Sequence, residues 1–506
     1  MSKNKSYKYD NCRNITYCMQ SEKKKWPETL LGWRTSNVKQ EDISKTLKTG
    51  VNYSIAELRN GEKIYAIEDF PELSDSEAKL VAEVVDAFIA DEKTRTLSSM
   101  AEVLEIFCME NNLNLDEDQR KYVLYIIKML VSGFGFISSI LSNDNIEEVA
   151  IIGLGKQKPV YTYEKNFGWL RTNAFFTDEK TVKNLVNKMS QQLGRHITFH
   201  NPRMNAVLPD GSRLSAAFPP ICFEPIVTLR KFREKPFTPA ELVLNNTISS
   251  ESMAFLWMAM QTDCSVLIAG NTGSGKTTLL NALFSFVPEN ERIVITEETP
   301  EISIPHKHVA KVHVVENLNI RMSNLIVDTL RMRPDRIIIG EIRNEEEVSA
   351  FMDTLLAGQG RGSYATFHSN NASEALARLR KLGVPELDLS AIDLIIVQKR
   401  QNRISLHSRN FEERRTTQIC EVLQKGEKAG LNELFGFSFE SRKLLRKNES
   451  LKLSEKIRNS FGISDAEMKK ELERRQKWLE GRAKVPDTFE GFFGGENEQQ
   501  NISKSE

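Results

Sequence analysis

Apolar positions follow three successive patterns along the chain, and each predicts a different kind of structure. Between residues 75 and 140 they recur at intervals of three and four, as at Leu80, Val81, Val84, Val85 and Phe88, which predicts a helical region. Residues 141–235 combine short β-type runs with a helical segment at 180–193, which predicts a compact α/β domain. From residue 236 to 424 strands alternate with helices, as in a mostly parallel, helix-covered sheet.

The two ends of the chain differ from this middle part. Residues 1–74 are predicted to be a variable, partly disordered basic region, and their first 26 residues form either a lipid-contacting arm or a solvated terminus. Residues 425–480 are charged and predicted to be helical, with a helical hairpin at 451–479. Residues 481–506 are too polar to bury much surface, so we expect a disordered tail.

Composition limits the partners and the cellular compartment expected for the chain. Its 506 residues include 69 basic and 69 acidic side chains, so no overall field draws the whole chain onto nucleic acid or acidic lipid. The six cysteines include no CxxC pair, which argues against a disulfide framework and a structural zinc site and favours a reducing cytoplasm. The beginning of the chain lacks the apolar centre of a secretory signal.

Residues 122–141 are largely apolar and about as long as a helix that spans a bilayer. However, Lys128 interrupts the run, and Gly133-Phe134-Gly135 indicates the end of one helix and the start of another element. We therefore expect no integral membrane segment.

A glycine-rich loop carries the strongest chemical signal. An apolar strand-like run at 264–269 leads into Gly270-Asn271-Thr272-Gly273-Ser274-Gly275-Lys276-Thr277, and Thr278 continues into a helical run. This setting is what the G-x-x-x-x-G-K-[ST] motif requires for binding nucleotide phosphates. Backbone amides and the helix start face the phosphates, Lys276 adds a cation, and the Thr277 hydroxyl is a ligand for Mg²⁺. ATP and Mg²⁺ are the predicted cofactors.

Two further strand-like runs end in carboxylates. Residues 336–340 run into Glu341, which we predict to be the catalytic acid that orients water. Ordinary P-loop ATPases carry Asp-Glu here, whereas this chain has Gly340 before Glu341. The acidic cluster after residues 292–296 is the predicted source of the missing charge on Mg²⁺, directly or through water; the alternative is a solvated acidic turn. Its members are Glu297, Glu298 and Glu301.

A third run, residues 362–368, ends at His368. This histidine either senses the γ-phosphate or supports Glu341; the alternative is that it has only a structural role.

Together these segments resemble the secretion and type IV pilus traffic ATPases, the type II/IV secretion system ATPase superfamily. The resemblance rests on the glycine-rich loop, residues 297–301, residues 330–343, and residues 362–368 followed by 375–379. The preceding domain matches through residues 133–135, 145–148 and 201–213, so the resemblance covers about 137–422. The absence of a four-cysteine zinc module favours the archaeal pilus or archaellum-type branch.

The resemblance implies a RecA-like P-loop ATPase core preceded by a smaller α/β domain, with helical N- and C-terminal extensions. It implies that Arg213 and Arg230 of the preceding domain close onto the nucleotide, that His368 is catalytic, and that Arg331 and Arg333 lie at a subunit interface. The family's Gly-Glu-x-Arg motif accounts for Gly340, whereas its usual Glu-Asp is Glu297-Glu298 here.

The resemblance also implies a partner and a place. The expected assembly is a cytoplasmic homo-hexamer, peripheral to the membrane, that acts on a polytopic membrane protein and indirectly on pilin-like subunits. The alternatives are a nucleic-acid motor on the same core, disfavoured by the lack of a basic stretch interleaved with aromatics, and a scaffold without turnover.

Overall fold

The computed structural model describes residues 32–36, 38–68, 97–110, 114–131, 133–231, 236–314, 320–358, 360–403 and 411–482. The chain divides into two compact units, Met1–Phe232 and Arg233–Glu506. The predictions made for residues 1–26, for the helical pattern at 75–96, and for the tail from 483 onward lie outside the described residues.

The first unit contains eleven strands and four helices among its described residues. The strands are β1 (Trp33–Thr35), β2 (Ile43–Thr49), β3 (Tyr53–Leu58), β4 (Lys63–Ile67), β5 (Ile146–Ile151), β6 (Tyr161–Glu164), β7 (Gly168–Thr172), β8 (Ala174–Phe176), β9 (Arg203–Val207), β10 (Arg213–Ala217) and β11 (Ile226–Arg230). The helices are α1 (Leu97–Glu110), α2 (Glu117–Val131), α3 (Phe136–Leu141) and α4 (Glu179–Ser190).

Nine of these strands form one sheet in the order β2-β3-β4-β7-β6-β5-β11-β10-β9, and β1 pairs with β8 in a second, two-stranded sheet. Within the large sheet β4 and β7 are parallel, while the other neighbouring strands are antiparallel. Buried side chains of α2, α3 and α4, including Ile126, Ile137 and Val182, share one apolar core with the sheet. This core also includes residues outside the predicted α/β domain at 141–235, such as Trp33 and Ile126.

The prediction of a partly disordered region is wrong for residues 43–67, which form β2, β3 and β4. These strands pair with one another, and contacts with distant residues join them to the rest of the unit. The Asn173 side chain accepts a hydrogen bond from the Ile67 amide at 2.8 Å and donates to the Ile67 carbonyl at 3.1 Å. Ile55 and Tyr65 are buried in the core of this unit.

Helix α2 ends at Val131 and α3 begins at Phe136, as the Gly133-Phe134-Gly135 sequence predicts. Among the described residues, no helix combines the length and apolarity needed to cross a membrane.

The second unit contains nine strands and nine helices among its described residues. The strands are β12 (Val266–Gly270), β13 (Ile293–Glu297), β14 (Val309–His313), β15 (Arg336–Ile342), β16 (Gly362–Phe367), β17 (Leu394–Arg403), β18 (Phe411–Lys425), β19 (Lys428–Ser438) and β20 (Lys443–Arg446). The helices are α5 (Pro239–Leu244), α6 (Ser250–Met260), α7 (Lys276–Leu283), α8 (Met322–Thr329), α9 (Glu345–Leu356), α10 (Ala372–Lys381), α11 (Glu386–Leu389), α12 (Lys452–Phe461) and α13 (Asp465–Arg482).

All nine strands form one sheet in the order β14-β13-β15-β16-β12-β17-β18-β19-β20. The six strands from β14 to β17 are parallel, which confirms the predicted parallel sheet, and β18, β19 and β20 extend it antiparallel. Every residue of β12 is buried, as expected for a central strand covered on both faces. The carboxyl ends of the parallel strands share one edge, where ligands bind in sheets of this type.

Residues 451–479, predicted to be a helical hairpin, contain the two helices α12 and α13, but the helical prediction is wrong for residues 428–446, which form β19 and β20. Charged residues in these strands and in β18 obscure the strand pattern. Glu421 of β18 is buried, and its carboxylate accepts hydrogen bonds from the Ser450 hydroxyl at 2.7 Å and the Leu453 amide at 2.7 Å. A buried carboxylate here caps the start of α12, which composition alone does not reveal.

Candidate functional site

The glycine-rich loop connects β12 to α7 as the sequence predicts. Gly275 takes φ +93° just before α7, a left-handed conformation that L side chains rarely adopt. The Lys276 amine is buried and donates to the carbonyls of Gly270 at 3.2 Å and Asn271 at 3.3 Å. Burial lowers the pKa of Lys276, and nearby Glu341 and Glu301 oppose that shift.

The loop also contains an unsatisfied buried hydroxyl. Ser274 is fully buried, and its Oγ has no hydrogen-bond partner in the part of the chain that the structure describes. A buried polar atom without a partner is costly, so this loop is suited to an anion that accepts hydrogen bonds. This is the observation on which the fit to nucleotide phosphates rests.

The three acids of the predicted metal cluster lie in different surroundings. Glu301 accepts a hydrogen bond from the Thr277 hydroxyl at 3.2 Å, so these two lie together beside the loop. Glu297 is buried, and its Oε1 accepts from the amides of Glu301 at 2.7 Å and Ile302 at 2.8 Å. Burial raises the pKa of Glu297, and the two amides oppose that shift. Glu297 thus holds the turn in which Glu301 lies.

Hard oxygen ligands suit Mg²⁺, which keeps several waters and often takes only one or two protein ligands together with phosphates. Within the described ranges there is no group of three or more His, Cys, Asp or Glu side chains arranged to hold a metal by themselves. The Thr277 hydroxyl and the Glu301 carboxylate fit a Mg²⁺ ion that phosphate and water complete.

The predicted catalytic acid and histidine lie together. Glu341 on β15 and His368, which follows β16, are 2.6 Å apart between Oε1 and Nε2. Arg343 donates from Nε to the other oxygen of Glu341 at 2.6 Å and also contacts Glu298. Burial lowers the pKa of His368, and the charge of Lys276 adds to that effect, so the ring is neutral near pH 7. A neutral ring donates one N–H, and Glu341 accepts it.

The surroundings of Gly340 explain why this position has no aspartate. A Cβ at this position would lie 3.1 Å from Cγ of Glu297 and 3.4 Å from the carbonyl of Thr296. An aspartate would place a second carboxylate against the buried Glu297, and like charges at close range oppose each other. The Gly340 carbonyl instead accepts a hydrogen bond from Thr366 at 2.6 Å.

Arg213 and Arg230 belong to the first unit, where they lie directly opposite each other at the paired ends of β10 and β11. Opposite residues of an antiparallel pair project from the same face, so the two cations are neighbours. The second unit contains the other two predicted arginines. Both Arg331 and Arg333 are exposed, and Arg331 lies 3.7 Å from Asp328.

Sequence reasoning missed two features of the site. It assigned no role to Arg343, which lies two positions after Glu341 and directly after the end of β15. It also missed the contact between the loop and β17, where the Asn271 side chain hydrogen-bonds the backbone of Arg400. No local signal predicts that contact, because it joins residues 129 positions apart.

The Arg343 side of Glu341 opens onto a cleft of about 1080 Å³ bordered by α8 and α9. The residues that line it include Glu298, Arg321, Glu341 and Arg343, but none of the glycine-rich loop. The predicted acids Glu298 and Glu341 therefore border this cleft, whereas the glycine-rich loop does not.

The fold and the loop together define a P-loop protein with a RecA-like core and a preceding α/β domain. Residues 163–481 match the sequence profile of the family described as Type II/IV secretion system protein, and the chain belongs to this family. Its members include ATPases of secretion and pilus machines.

The chain is similar to several known proteins. Uncharacterized protein MJ0900 of Methanocaldococcus jannaschii is 30% identical over 387 residues, which cover 73% of this chain and 68% of that protein. The Type IV secretion system protein VirB11 of Bartonella henselae is 29% identical over 321 residues, covering 52% of this chain and 87% of VirB11. In the solved structure of the Legionella pneumophila ATPase DotB, the likeness covers 58% of this chain and 80% of that one, at 22% identity and a TM-score of 0.41.

Proposed function

We propose that this chain is the ATP-hydrolysing subunit of a homo-hexameric motor of the archaeal pilus or archaellum-type branch. The observation that carries the proposal is the pairing of Glu341 with His368 at the edge of the sheet where Lys276 and Thr277 lie. Electrostatic coupling of Lys276 and Glu341 in the described structure supports a common site.

Each residue has a definite task in this proposal. Lys276 and the loop amides bind the β- and γ-phosphates, and Ser274 donates its unpaired hydroxyl to them. Glu341 orients the attacking water and accepts its proton. His368 holds Glu341 in place from one side and Arg343 from the other. Bound Mg²⁺ would supply charge neutralisation between the phosphates, with Thr277 and Glu301 as the residues that hold it, Glu301 through water.

The first unit contributes Arg213 and Arg230. Two neighbouring guanidinium groups on one sheet face present several N–H donors that together can bind phosphate oxygens. We therefore propose that nucleotide binding closes this pair onto the γ-phosphate and that hydrolysis releases it. Arg331 and Arg333 are proposed to contact the adjacent subunit, because a head-to-tail ring lets one subunit complete the surface of the next.

The proposed ring acts in the cytoplasm at the membrane surface, on a polytopic membrane protein that assembles pilin-like subunits or moves cargo. To test this, the full chain is purified by affinity from detergent-solubilised membranes, with the Lys276→Ala chain as a control for nucleotide-dependent association. We expect a multi-span protein to accompany the ATP-loaded wild type. Recovery of no membrane protein, together with strong stimulation of ATPase activity by single-stranded DNA, would instead support a nucleic-acid motor.

A pH profile of ATP turnover tests the assignment of His368. Above its lowered pKa the ring is neutral and donates to Glu341; as pH falls through that pKa, the ring gains a proton and pairs with Glu341 as an ion. We therefore expect turnover to stay level near pH 7 and to fall only below about pH 6.5, the ordinary value for histidine. His368→Gln keeps a donor without the titration, so its acid limb should move to lower pH.

His308 provides a matched control, since its imidazole contacts Arg292 and lies away from Glu341. His308→Gln should leave the acid limb in place. An acid limb shared by wild type and His368→Gln would exclude His368 as the titrating group.

A further inference from the structure

Strand β17 runs directly alongside the glycine-rich loop. Gly270 pairs with Gln398, and a Cβ on Gly270 would lie 2.2 Å from the Gln398 carbonyl oxygen. Beyond this point Asn271 donates from its side chain to the Arg400 carbonyl at 3.2 Å and accepts from the Arg400 amide at 3.0 Å. These contacts fix the backbone at Arg400 relative to the loop.

The Arg400 side chain turns back over the same loop. A Cβ built on Gly273 would lie 3.0 Å from Nη1 of Arg400 and 3.8 Å from its Cζ. The absence of a side chain at Gly273 leaves room for the guanidinium. On its other side, Arg400 donates from Nη2 to Oε2 of Glu412 on β18 at 2.6 Å.

We propose that Arg400 is a second cation of the phosphate site, supplied by β17 of the same chain, and that Glu412 holds it in the absence of nucleotide. The ligand class is the phosphate chain of a nucleoside triphosphate, so this inference rests on the proposed function. A guanidinium binds phosphate and carboxylate oxygens in the same geometry, which makes a change of partner from Glu412 to phosphate chemically direct.

A purely structural role for the pair would have different consequences. An ion pair between β17 and β18 that only stabilises the sheet loses the same contact whichever partner is replaced, so both changes would affect nucleotide binding in the same direction. If Arg400 moves between Glu412 and phosphate, the two changes act in opposite directions. Removing Arg400 deletes a phosphate contact, whereas neutralising Glu412 removes a competitor for it.

The test measures the Kd for Mg²⁺–ATP with the full-length chain by titration calorimetry. We expect Arg400→Gln to raise the Kd about tenfold, the loss of one charge-assisted hydrogen bond, and Glu412→Gln to lower it. Arg414→Gln is the matched control: Arg414 lies opposite Arg400 and also contacts Glu412, at 3.4 Å, whereas the three atoms nearest a Cβ on Gly273 all belong to Arg400. Its Kd should stay near that of the wild type.

Three results would overturn the inference. One is the absence of opposite effects, that is, an unchanged Kd in Arg400→Gln or a Kd that rises in Glu412→Gln as well. Another is an equal loss of affinity in Arg414→Gln, which would indicate only the general charge of the strand pair. The third uses inorganic tripolyphosphate as a competitor: if Arg400→Gln weakens ATP binding but not competition by tripolyphosphate, Arg400 contacts another part of the nucleotide. Failure of the wild type to bind ATP would instead overturn the proposed function.

Discussion

Replacing Glu341 by Gln is expected to lower the turnover number for ATP about a thousandfold, the contribution typical of a well-placed general base. Gln keeps the size of the side chain and can accept one of the two hydrogen bonds, from His368 or from Arg343, through its single amide oxygen, but it cannot accept the proton of the attacking water. Because the loop and Lys276 are unaltered, the Kd for ATP should stay within a few-fold of the wild type. Turnover is measured by phosphate release and Kd by titration calorimetry.

Glu345→Gln is the matched control for this experiment. Glu345 is an exposed acid in the first turn of α9, four positions after Glu341. Its neutralisation changes net charge by the same amount without touching the proposed site, so turnover should be near that of the wild type. Normal turnover in Glu341→Gln would refute the role of Glu341 as the general base. A greatly raised Kd for ATP in that variant would instead assign Glu341 to nucleotide binding.

The contact between Glu341 and His368 could be predicted from the sequence. Each residue lies at the carboxyl end of an apolar run, and parallel strands bring those ends to one edge of the sheet. The sequence also predicted the strand, loop and helix around Lys276, since that motif is local and tolerates little variation. Local sequence was enough here because the geometry follows from short segments and one general property of parallel sheets.

The different contacts of the three acids could not be predicted from the sequence. Glu297, Glu298 and Glu301 are chemically alike, yet one holds backbone amides, one contacts Arg343, and one lies against Thr277. Which of these partners each carboxylate meets depends on how the turn after β13 packs against β15 and α7. Composition and spacing do not encode that packing at the level of single side chains.

The strands at the two ends of the chain escaped prediction for a related reason. Strand β4 pairs with β7 about one hundred residues later, and β19 is defined by its pairing with β18. Polar side chains on such strands resemble those of solvated helices in composition. Pairing with a distant strand for β4, hairpin pairing for β19, and buried charges such as Glu421 decide the outcome.

Lys276→Ala is expected to raise the Kd for ATP about a hundredfold, the loss of two charge-assisted hydrogen bonds to phosphate, and to reduce turnover below detection. The amine is buried and donates to the carbonyls of Gly270 and Asn271, so it provides positive charge where water is largely excluded.

Lys276→Arg should fail to restore binding, because a planar guanidinium does not replace a compact ammonium within so small a loop. Lys381→Ala, at the exposed end of α10, removes one lysine elsewhere and should bind ATP normally. Melting temperatures of all three variants separate loss of the site from loss of the fold. Wild-type affinity in a folded Lys276→Ala chain would remove the glycine-rich loop from the nucleotide site.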